Sequence, residues 1–556
     1  MRLAEPLRRL LERPPLLLGA LAIVQLLVVG GIALAARHNG WLWYQGGDET
    51  YYYTTSWLLG RGELPPTPIG YGWSLLTAPA SWVGGANVLG SLPVIVVGQY
   101  LLLLPVGLVA AWAIGDSCGG RPLAISAAAL WATLPALSIP LFAERYHPIY
   151  VDTVLPQLLG LTHLADFPST IALLVAAAFL LKGVDRRSHA LVLLSSLSTG
   201  FAIGIKPANL VFLAAPFLLL ALARRPVQLL VFAGGLVPAL VTLALWKERG
   251  LGDLPVLARP ESLLAGGGAL VAATGGLALD RYVDVDWGDL WLNLQQLQEV
   301  FWGMRVLEWF ALAGLFAVGR RSVPKAAFLA VWLGSYIVFK GASNAAVVQS
   351  GTFFRIVQPG LAAFVILAAA TVLHVPAVFR HAGAAATLRS SPRRRNAAVA
   401  AGVVLLAAVP LLVVALVRPV EAGVTAAYTR DSVFVPVNAF PLAASRADGR
   451  VRLRWRPPQS SHARVFYRVL RSDPAEGKPG ALQAVRNGLD CSSVDDLPAG
   501  CAVYSDIIGT TRATLFSDRP PPGRWTYRIA LAANFADSEN TGDVLLVSDG
   551  AVVTTP

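Results

Sequence analysis

The chain has 556 residues, of which 55% are hydrophobic and only 14% are charged, and its mean hydropathy is +0.58. Soluble proteins carry about a quarter charged residues. The composition therefore excludes an ordinary cytosolic enzyme, and the abundance of apolar residues excludes a disordered chain. The net charge of +12 would suggest nucleic acid as the partner of a soluble protein. Here the arginines cluster between apolar runs and no nucleic-acid-binding motif accompanies them, so we expect no such partner.

Apolar runs divide the first 420 residues. The first run, 15–36, follows four arginines and is long enough to cross a bilayer, which takes about 20 residues. It is longer than the apolar core of a signal peptide, so we expect a retained helix. Further runs lie at 88–114, 122–142, 168–182, 190–205, 208–223, 227–246, 305–319, 325–340, 355–373 and 397–418. We predict a polytopic α-helical membrane domain over 1–420, with about eleven transmembrane helices.

The basic residues give this domain an orientation. With the N-terminus inside, lysine and arginine are about four times denser in the inner segments than in the outer ones, as the positive-inside rule requires. An odd number of spans then places the C-terminus outside. The long outer loops are 37–87, 142–168 and 247–304. We therefore expect a cell-membrane protein with a cytoplasmic N-terminus and an extracytoplasmic C-terminal domain.

The first outer loop carries two adjacent carboxylates, Asp48 and Glu49, within the stretch GGDETYYY at 46–53. Carboxylates near a membrane are costly to bury unless they have partners or a function. A carboxylate here could accept a proton from an acceptor hydroxyl or bind a metal ion. The alternative is an interfacial loop with two solvated acids. Asp48 and Glu49 are therefore candidate catalytic residues.

The second outer loop contains two carboxylates and two imidazoles that could bind a divalent metal ion or the acceptor, namely Glu144, His147, Asp152 and His163. Their spacing matches no sharp metal motif, and a single histidine is more often a hydrogen-bonded structural residue. We therefore predict no certain cofactor and keep a divalent metal as an alternative.

Three basic residues, Lys206, Lys340 and Arg355, lie at the predicted outer ends of spans. A lipid-linked phosphate would lie at this depth and needs cationic donors, and arginine can bind phosphate with two parallel hydrogen bonds. The alternative is that these side chains only extend to the interface, as lysine and arginine often do. Because outer basic residues are scarce, we interpret the three as candidates for binding a donor phosphate.

The third outer loop places Leu290, Leu294, Leu297 and Phe301 at helical spacing, and four tryptophans flank them: Trp287, Trp291, Trp302 and Trp309. This pattern predicts a helix lying at the membrane interface, where tryptophan is enriched. The sequence shows no internal repeat, which weakens the hypothesis of an inverted-repeat transporter.

After the last span the pattern changes to strands. Apolar and polar residues alternate at 451–455, 465–470 and 525–530, and Pro, Gly and Asp separate these segments. Such spacing is typical of a β-sandwich. We predict a linker at 421–434 and a β-sandwich at 435–556.

The strands around Trp455, Tyr467 and Tyr527 resemble those of a fibronectin type III domain. The resemblance implies a structural role for Tyr527, at the position of the family's tyrosine corner. It also implies that Cys491 and Cys501 lie in an inserted loop on the oxidising side of the membrane, where we expect a disulfide.

The membrane domain resembles the GT-C glycosyltransferases through four short patterns. In the first outer loop, Asp-Glu and tyrosines precede Gly-x-Gly-x-Leu-Pro at 60–65 and Pro-x-Gly-Tyr at 68–71. ADFPST at 165–170 resembles the family's second acidic site, FAIGIKP at 201–207 its fifth span with a basic outer end, and FFRIVQP at 353–359 its late arginine. The branch that includes bacterial protein O-mannosyltransferases and aminoarabinose lipid A transferases is the most similar.

The resemblance implies an integral membrane enzyme that transfers a sugar from a polyprenyl-phosphate carrier to an extracytoplasmic protein, lipid or cell-envelope glycan. It implies Asp166 as the second acidic site. We expect Asp48 to deprotonate the acceptor hydroxyl, Glu49 or Asp166 to orient it, and Lys206 and Arg355 to stabilise the departing phosphate, with inversion at the sugar.

Two other classes of protein stay open. A transporter or flippase for a lipid-linked or polar solute would place ionisable residues near the middle of its spans, and the predicted spans have almost none. A non-catalytic anchor that displays an adhesion domain would need only one span. The sequence therefore favours the glycosyltransferase.

Overall fold

The computed structural model describes a membrane region of helices followed by a tail of strands. The described residues are 13–35, 48–65, 67, 69–147, 155–251, 257–258, 276–277, 285–375, 392–420, 425–428, 433–458, 465–472, 502–503, 506–533 and 543–556.

The described chain contains long apolar helices and several short helices between them. They are α1 Pro14–Ala35, α2 Asp48–Gly60, α3 Tyr71–Thr77, α4 Ser81–Gly84, α5 Val88–Gly98, α6 Leu104–Gly119, α7 Arg121–Ser138, α8 Pro156–Leu159, α9 Asp166–Asp185, α10 His189–Ile205, α11 Ala214–Leu222, α12 Pro226–Leu251, α13 Trp287–Val300, α14 Met304–Gly319, α15 Val323–Gly341, α16 Thr352–Ala369, α17 Pro392–Val403 and α18 Val409–Leu416. Short 3₁₀ and π-helical turns join or extend them at Ala78–Ala80, Gln99–Leu103, Ile139–Leu141, Glu144–Tyr146, Pro207–Leu213, Ala370–His374 and Val404–Ala408.

Eight helical stretches among the described residues are long and apolar enough to cross a membrane. They are Pro14–Ala35, Val88–Gly119, Arg121–Leu141, Asp166–Asp185, Pro226–Gly250, Val323–Gly341, Thr352–His374 and Asn396–Leu416. The pair α13 and α14, bent by 110°, makes a ninth if it counts as one span, and two shorter apolar helices lie at His189–Ile205 and Pro207–Leu222. Each predicted apolar run thus coincides with a helix, although the helices at His189–Ile205, Pro207–Leu222 and Met304–Gly319 are shorter than the usual span. The predicted helical membrane class is confirmed.

Helix α9 is the centre of the bundle. In its most apolar stretch 72% of the residues are buried within the protein, against 17% in α1 and 17% in the last span. It packs against α6, α10 and α16. Because Asp166 is the first residue of α9, this side chain lies at one end of the most buried of the eight long spans.

The first outer loop folds against the bundle. Nine of the 13 residues of α2 are buried, including Glu49 and Tyr53. The segment that follows α2 passes close to the backbone at the end of α10. A Cβ on Gly70 would overlap the Gly204 carbonyl oxygen and would lie 2.6 Å from the Ile205 carbonyl oxygen. Glycine is required where two backbones come this close.

The segment predicted as an interfacial helix in the third outer loop is helical, as α13, and its position at the interface stays a prediction. Its tryptophans and those that follow are largely exposed, with exposed fractions of 67% for Trp287, 65% for Trp291, 49% for Trp302 and 65% for Trp309. Exposed indole rings beside a sharp bend are typical of a helix at the membrane interface.

The strands of the described chain begin in the outer loops and continue into the tail. They are β1 Glu63–Leu64, β2 Leu257–Ala258, β3 Gly276–Leu277, β4 Arg418–Pro419, β5 Thr425–Tyr428, β6 Val433–Pro436, β7 Leu442–Ala447, β8 Arg450–Trp455, β9 Val465–Ser472, β10 Ala502–Val503, β11 Asp506–Thr511, β12 Leu515–Asp518, β13 Gly523–Ala533, β14 Asp543–Val547 and β15 Ala551–Thr555. The three strands predicted at 451–455, 465–470 and 525–530 correspond to β8, β9 and β13.

Within the described residues, the tail contains one five-stranded sheet and two three-stranded sheets, of which one has shorter strands. One three-stranded sheet has the order β12-β8-β7, and the five-stranded sheet has the order β11-β9-β13-β14 with β15 also paired to β13. The sheet with shorter strands, β10-β5-β6, begins within the segment predicted as a linker. Between the sheets that contain β8 and β9, Trp455 packs edge-on against Tyr467 at a ring distance of 5.3 Å. The Tyr527 ring is buried, and its hydroxyl donates a hydrogen bond to Asp518 Oδ2 at 2.7 Å.

The tail is attached to the membrane region beside the first outer loop. After the last span, β4 pairs in parallel with β1. Farther along, β6 packs against α2. The tail therefore lies next to the helix that carries Asp48.

Candidate active site

Four charged side chains from distant segments meet at the junction of α2, α9, α10 and α16. Arg355 Nη2 lies 2.9 Å from Asp48 Oδ2 and 3.3 Å from Asp166 Oδ2. Lys206 Nζ lies 2.5 Å from Asp166 Oδ1. We call these four residues the charged cluster. It unites four of the six residues that the sequence predicted as catalytic or phosphate-binding.

The helix ends explain much of this placement. Asp48 and Asp166 are the first residues of α2 and α9, where the positive end of the helix dipole favours an anion. Lys206 follows the last residue of α10, where the negative end favours a cation. Arg355 lies in the first turn of α16, where a cation is disfavoured, and its two carboxylate partners offset that cost.

The two acids of the cluster differ in exposure. The Asp166 side chain is 3% exposed and pairs with two cations, whereas the Asp48 side chain is 58% exposed and contacts Arg355 alone within the cluster. A buried carboxylate needs such pairing to stay charged. Asp166 therefore fixes the cations in place, while Asp48 is open to a reacting group.

Glu49 lies in a different environment from its neighbour Asp48. It is fully buried, and its Oε1 accepts a hydrogen bond from the backbone N–H of His163 at 2.5 Å. The carboxylate thereby joins α2 to the segment that leads into α9. Because Glu49 has no exposed surface, its position suits support of the cluster better than the catalytic role expected from sequence.

His163 is enclosed by aromatic rings. Tyr52, Tyr53 and Trp73 surround it, and its Nε2 lies 3.1 Å from the hydroxyl of Thr77. Burial lowers the pKa of His163 to about 3, so the imidazole is neutral near pH 7. His163 is therefore a buried, neutral residue that packs behind the charged cluster.

Two other candidates of the second outer loop, Glu144 and His147, are not members of the ion pairs that form the cluster. Glu144 lies in an exposed 3₁₀ turn, and the His147 Nε2 lies 3.1 Å from the Phe142 carbonyl oxygen. Asp152 lies outside the described residues. Within the part of the chain that the structure describes, no three His, Cys, Asp or Glu side chains are grouped so as to hold a metal ion.

The remaining predicted residues are Lys340 and the two cysteines of the tail. Lys340 is in the last turn of α15 and is not a member of the ion pairs that define the cluster. Cys491 and Cys501 lie outside the described residues.

Tyr52 is a member of the site that sequence reasoning missed. It is 7% exposed, and the pKa of its hydroxyl is raised well above the usual value by burial and by the charges of Asp48 and Asp166, against the effect of Arg355. Tyr52 follows Asp48 by four residues, so both lie on one face of α2. In the sequence, this spacing of four residues was the pattern from which Tyr52 could have been predicted to lie beside Asp48.

The cluster retains unused hydrogen-bond donors. Arg355 uses the same nitrogen, Nη2, for both carboxylates, and its buried Nε has no hydrogen-bond partner. An ammonium group has three donors, and the Lys206 ammonium uses one of them in its bond to Asp166. The arrangement can therefore hold an oxyanion next to an accessible carboxylate, Asp48.

No protein-family model matches the sequence, and no curated protein matches it. Among solved structures, the chain is similar to the apo crystal structure of the Archaeoglobus fulgidus oligosaccharyltransferase, with 16% identity and a TM-score of 0.36 over 71% of this chain and 55% of that chain. It is also similar to archaeal oligosaccharyltransferase AglB from the same organism in complex with an inhibitory peptide and a dolichol-phosphate, with 15% identity, a TM-score of 0.36 and the same coverage. The chain spans about half the length of these oligosaccharyltransferase chains.

Proposed function

We propose that this chain is an integral membrane glycosyltransferase of the GT-C type. It transfers a sugar from a polyprenyl-phosphate carrier to a hydroxyl group of a protein, lipid or cell-envelope glycan at the outer face of the membrane. The observation that supports this function is the charged cluster, in which the accessible carboxylate of Asp48 pairs with Arg355, and buried Asp166 holds both Arg355 and Lys206. An acceptor hydroxyl needs the base, and a departing phosphate needs the cations.

In the proposed reaction, the Asp48 carboxylate takes the proton of the acceptor hydroxyl. The hydroxyl oxygen attacks C1 of the sugar and forms the new C–O bond with its lone pair. The bond between C1 and the phosphate oxygen breaks, and its electron pair leaves with the polyprenyl phosphate. Because attack comes from the side opposite the leaving group, the anomeric centre is inverted.

Lys206 and Arg355 stabilise the departing phosphate. Their remaining N–H donors can bind its oxygens, and arginine can do so with two parallel hydrogen bonds. Asp166 keeps both cations at the site in the absence of donor. Lys340 stays an additional phosphate-binding candidate, and Glu49 positions Asp48 through the backbone of His163.

The proposal places the cluster on the outer side of the membrane. The support is the charge pattern of the sequence, in which lysine and arginine concentrate in the segments on the opposite side of the spans. The tail then follows the last span on the same side as the cluster.

The test is transfer of radiolabelled sugar from a panel of polyprenyl-phosphate donors by membranes that contain the wild type or Asp48→Asn. Without the base, transfer should fall at least about 100-fold, since general-base catalysis contributes roughly 10²–10⁴-fold. Asp289→Asn, the same chemical change in the first turn of α13, is the matched control and should leave transfer unchanged.

Near-wild-type transfer by Asp48→Asn would remove Asp48 as the base. Absence of transfer across the panel, from folded protein that instead moves a lipid-linked solute between leaflets, would replace the proposal with a flippase.

A further inference from the structure

The outward face of β8 is a row of arginines. Along Arg450–Trp455 the side chains alternate between exposed and buried, so that Arg450, Arg452 and Arg454 all point away from the core. Side chains two residues apart on a strand are separated by roughly 7 Å. We call these three residues the arginine row. Their guanidinium groups extend over roughly 14 Å along β8, which is the central strand of its sheet.

The neighbouring strands leave this row accessible. In the register of the sheet, Arg452 lies between Ser445 of β7 and Ser517 of β12. Arg454 lies between Ala443 of β7 and Leu515 of β12. All four of these neighbours of Arg452 and Arg454 are exposed, and none of them carries a charge that could neutralise the guanidinium groups.

Few carboxylates of the described chain balance this charge. Asp448, in the turn between β7 and β8, reaches Arg452 at 3.5 Å, but the two side chains are 87% and 56% exposed, so the pair is weak. Asp518 is on the adjacent strand β12, but it points into the domain, where Arg471 and Tyr527 donate to its Oδ2.

Like charges in a row on one sheet face repel one another and cost stability unless a ligand neutralises them. We propose that the arginine row binds a linear anionic glycan polymer, whose carboxylate or phosphate groups pair with successive guanidinium groups while Ser445 and Ser517 bond to its hydroxyls. Guanidinium groups suit both kinds of anion because they donate two parallel hydrogen bonds.

A glycan fits the row better than a lipid surface does. A membrane-binding face usually combines cations with several large apolar side chains that enter the bilayer. Among the paired neighbours of the row only Leu515 is large and apolar, and the others are alanine and serine. The inference takes one premise from the proposed function, namely that the tail lies on the outer side of the membrane, where extracellular polymers are present. Binding itself does not depend on sugar transfer.

The experiment measures binding of polygalacturonate, a linear polymer with a carboxylate on each sugar, to the full chain in nanodiscs of zwitterionic lipid. The row variant is Arg450→Gln/Arg452→Gln/Arg454→Gln. The matched control removes the same charge from other exposed positions of the tail, as Arg512→Gln/Arg519→Gln/Arg524→Gln. We expect the row variant to bind roughly tenfold or more weakly, the control to change affinity less than about threefold, and wild-type binding to weaken with added salt.

Equal losses in the two triple variants would overturn the proposal, because the binding would then follow net charge alone. Equal binding of neutral dextran, or binding of vesicles with anionic lipid without binding of the polymer, would also overturn it. An unchanged unfolding temperature of the row variant shows that lost binding is not lost folding. If the wild type binds the polymer but transfers no sugar, that result would count against the proposed function and would leave this inference standing.

Discussion

Replacement of Asp166 by Asn tests whether the charged cluster is held together from its buried side. The change removes the carboxylate shared by Lys206 and Arg355, which is itself 3% exposed. Breaking a buried ion pair by removal of one partner costs about 3–5 kcal/mol. The Lys206 and Arg355 side chains keep 23% and 21% exposure, so water hydrates them in part, and Arg355 retains Asp48. We therefore expect a loss at the low end of this range, so that the free energy of unfolding falls by about 3 kcal/mol.

The assay is unfolding by dodecyl sulfate in mixed micelles, followed by tryptophan fluorescence and extrapolated linearly. Lys206→Met and the double variant Asp166→Asn/Lys206→Met complete a double-mutant cycle. Because the two side chains are in direct contact, the double variant should recover about 1–2 kcal/mol relative to the sum of the single changes. The control Asp289→Asn should stay within about 0.5 kcal/mol of the wild type. Additive effects, or an Asp166→Asn variant as stable as the wild type, would refute the reasoning.

Two further predictions concern the support of the cluster. In Gly70→Ala, the new Cβ meets the backbone of Gly204 and Ile205, so we expect a loss of about 1–3 kcal/mol in the free energy of unfolding, whereas Gly31→Ala, with open space around its Cβ, should be neutral. An unchanged Gly70→Ala variant in the same assay would contradict this packing. Because the folded pKa of His163 lies below the unfolded value of 6.5, its contribution to stability is complete above pH 6.5 and is lost as the pH falls toward 3. The wild type should therefore lose stability relative to His163→Gln by about 1.4 kcal/mol per pH unit in that window, and parallel pH profiles of the two proteins would contradict the burial argument.

The sequence by itself determined the membrane architecture. An apolar run of about 20 residues has few structures open to it in a bilayer other than a helix, because the backbone must satisfy its own hydrogen bonds there. Three strands of the tail, β8, β9 and β13, were also predictable, because apolar and polar residues alternate at 451–455, 465–470 and 525–530. The nearly uniform apolar character of the runs did not distinguish α9, which is enclosed by its neighbours, from α1 at the periphery.

The site was decided partly by sequence and partly by tertiary structure. Asp48 was identifiable as a carboxylate near the membrane, Lys206 and Arg355 as basic residues at predicted outer ends of spans, where such residues are scarce, and Asp166 through the family resemblance of its segment. Their meeting was not, since Arg355 is 307 positions from Asp48 and 189 from Asp166.

Only the tertiary structure separated Asp48 from Glu49. Adjacent residues of a helix point about 100° apart, so one carboxylate of this pair faces the open site and the other faces the core beside His163. The side of α2 that is covered is set by packing against distant segments. No local property of two neighbouring acids carries that information.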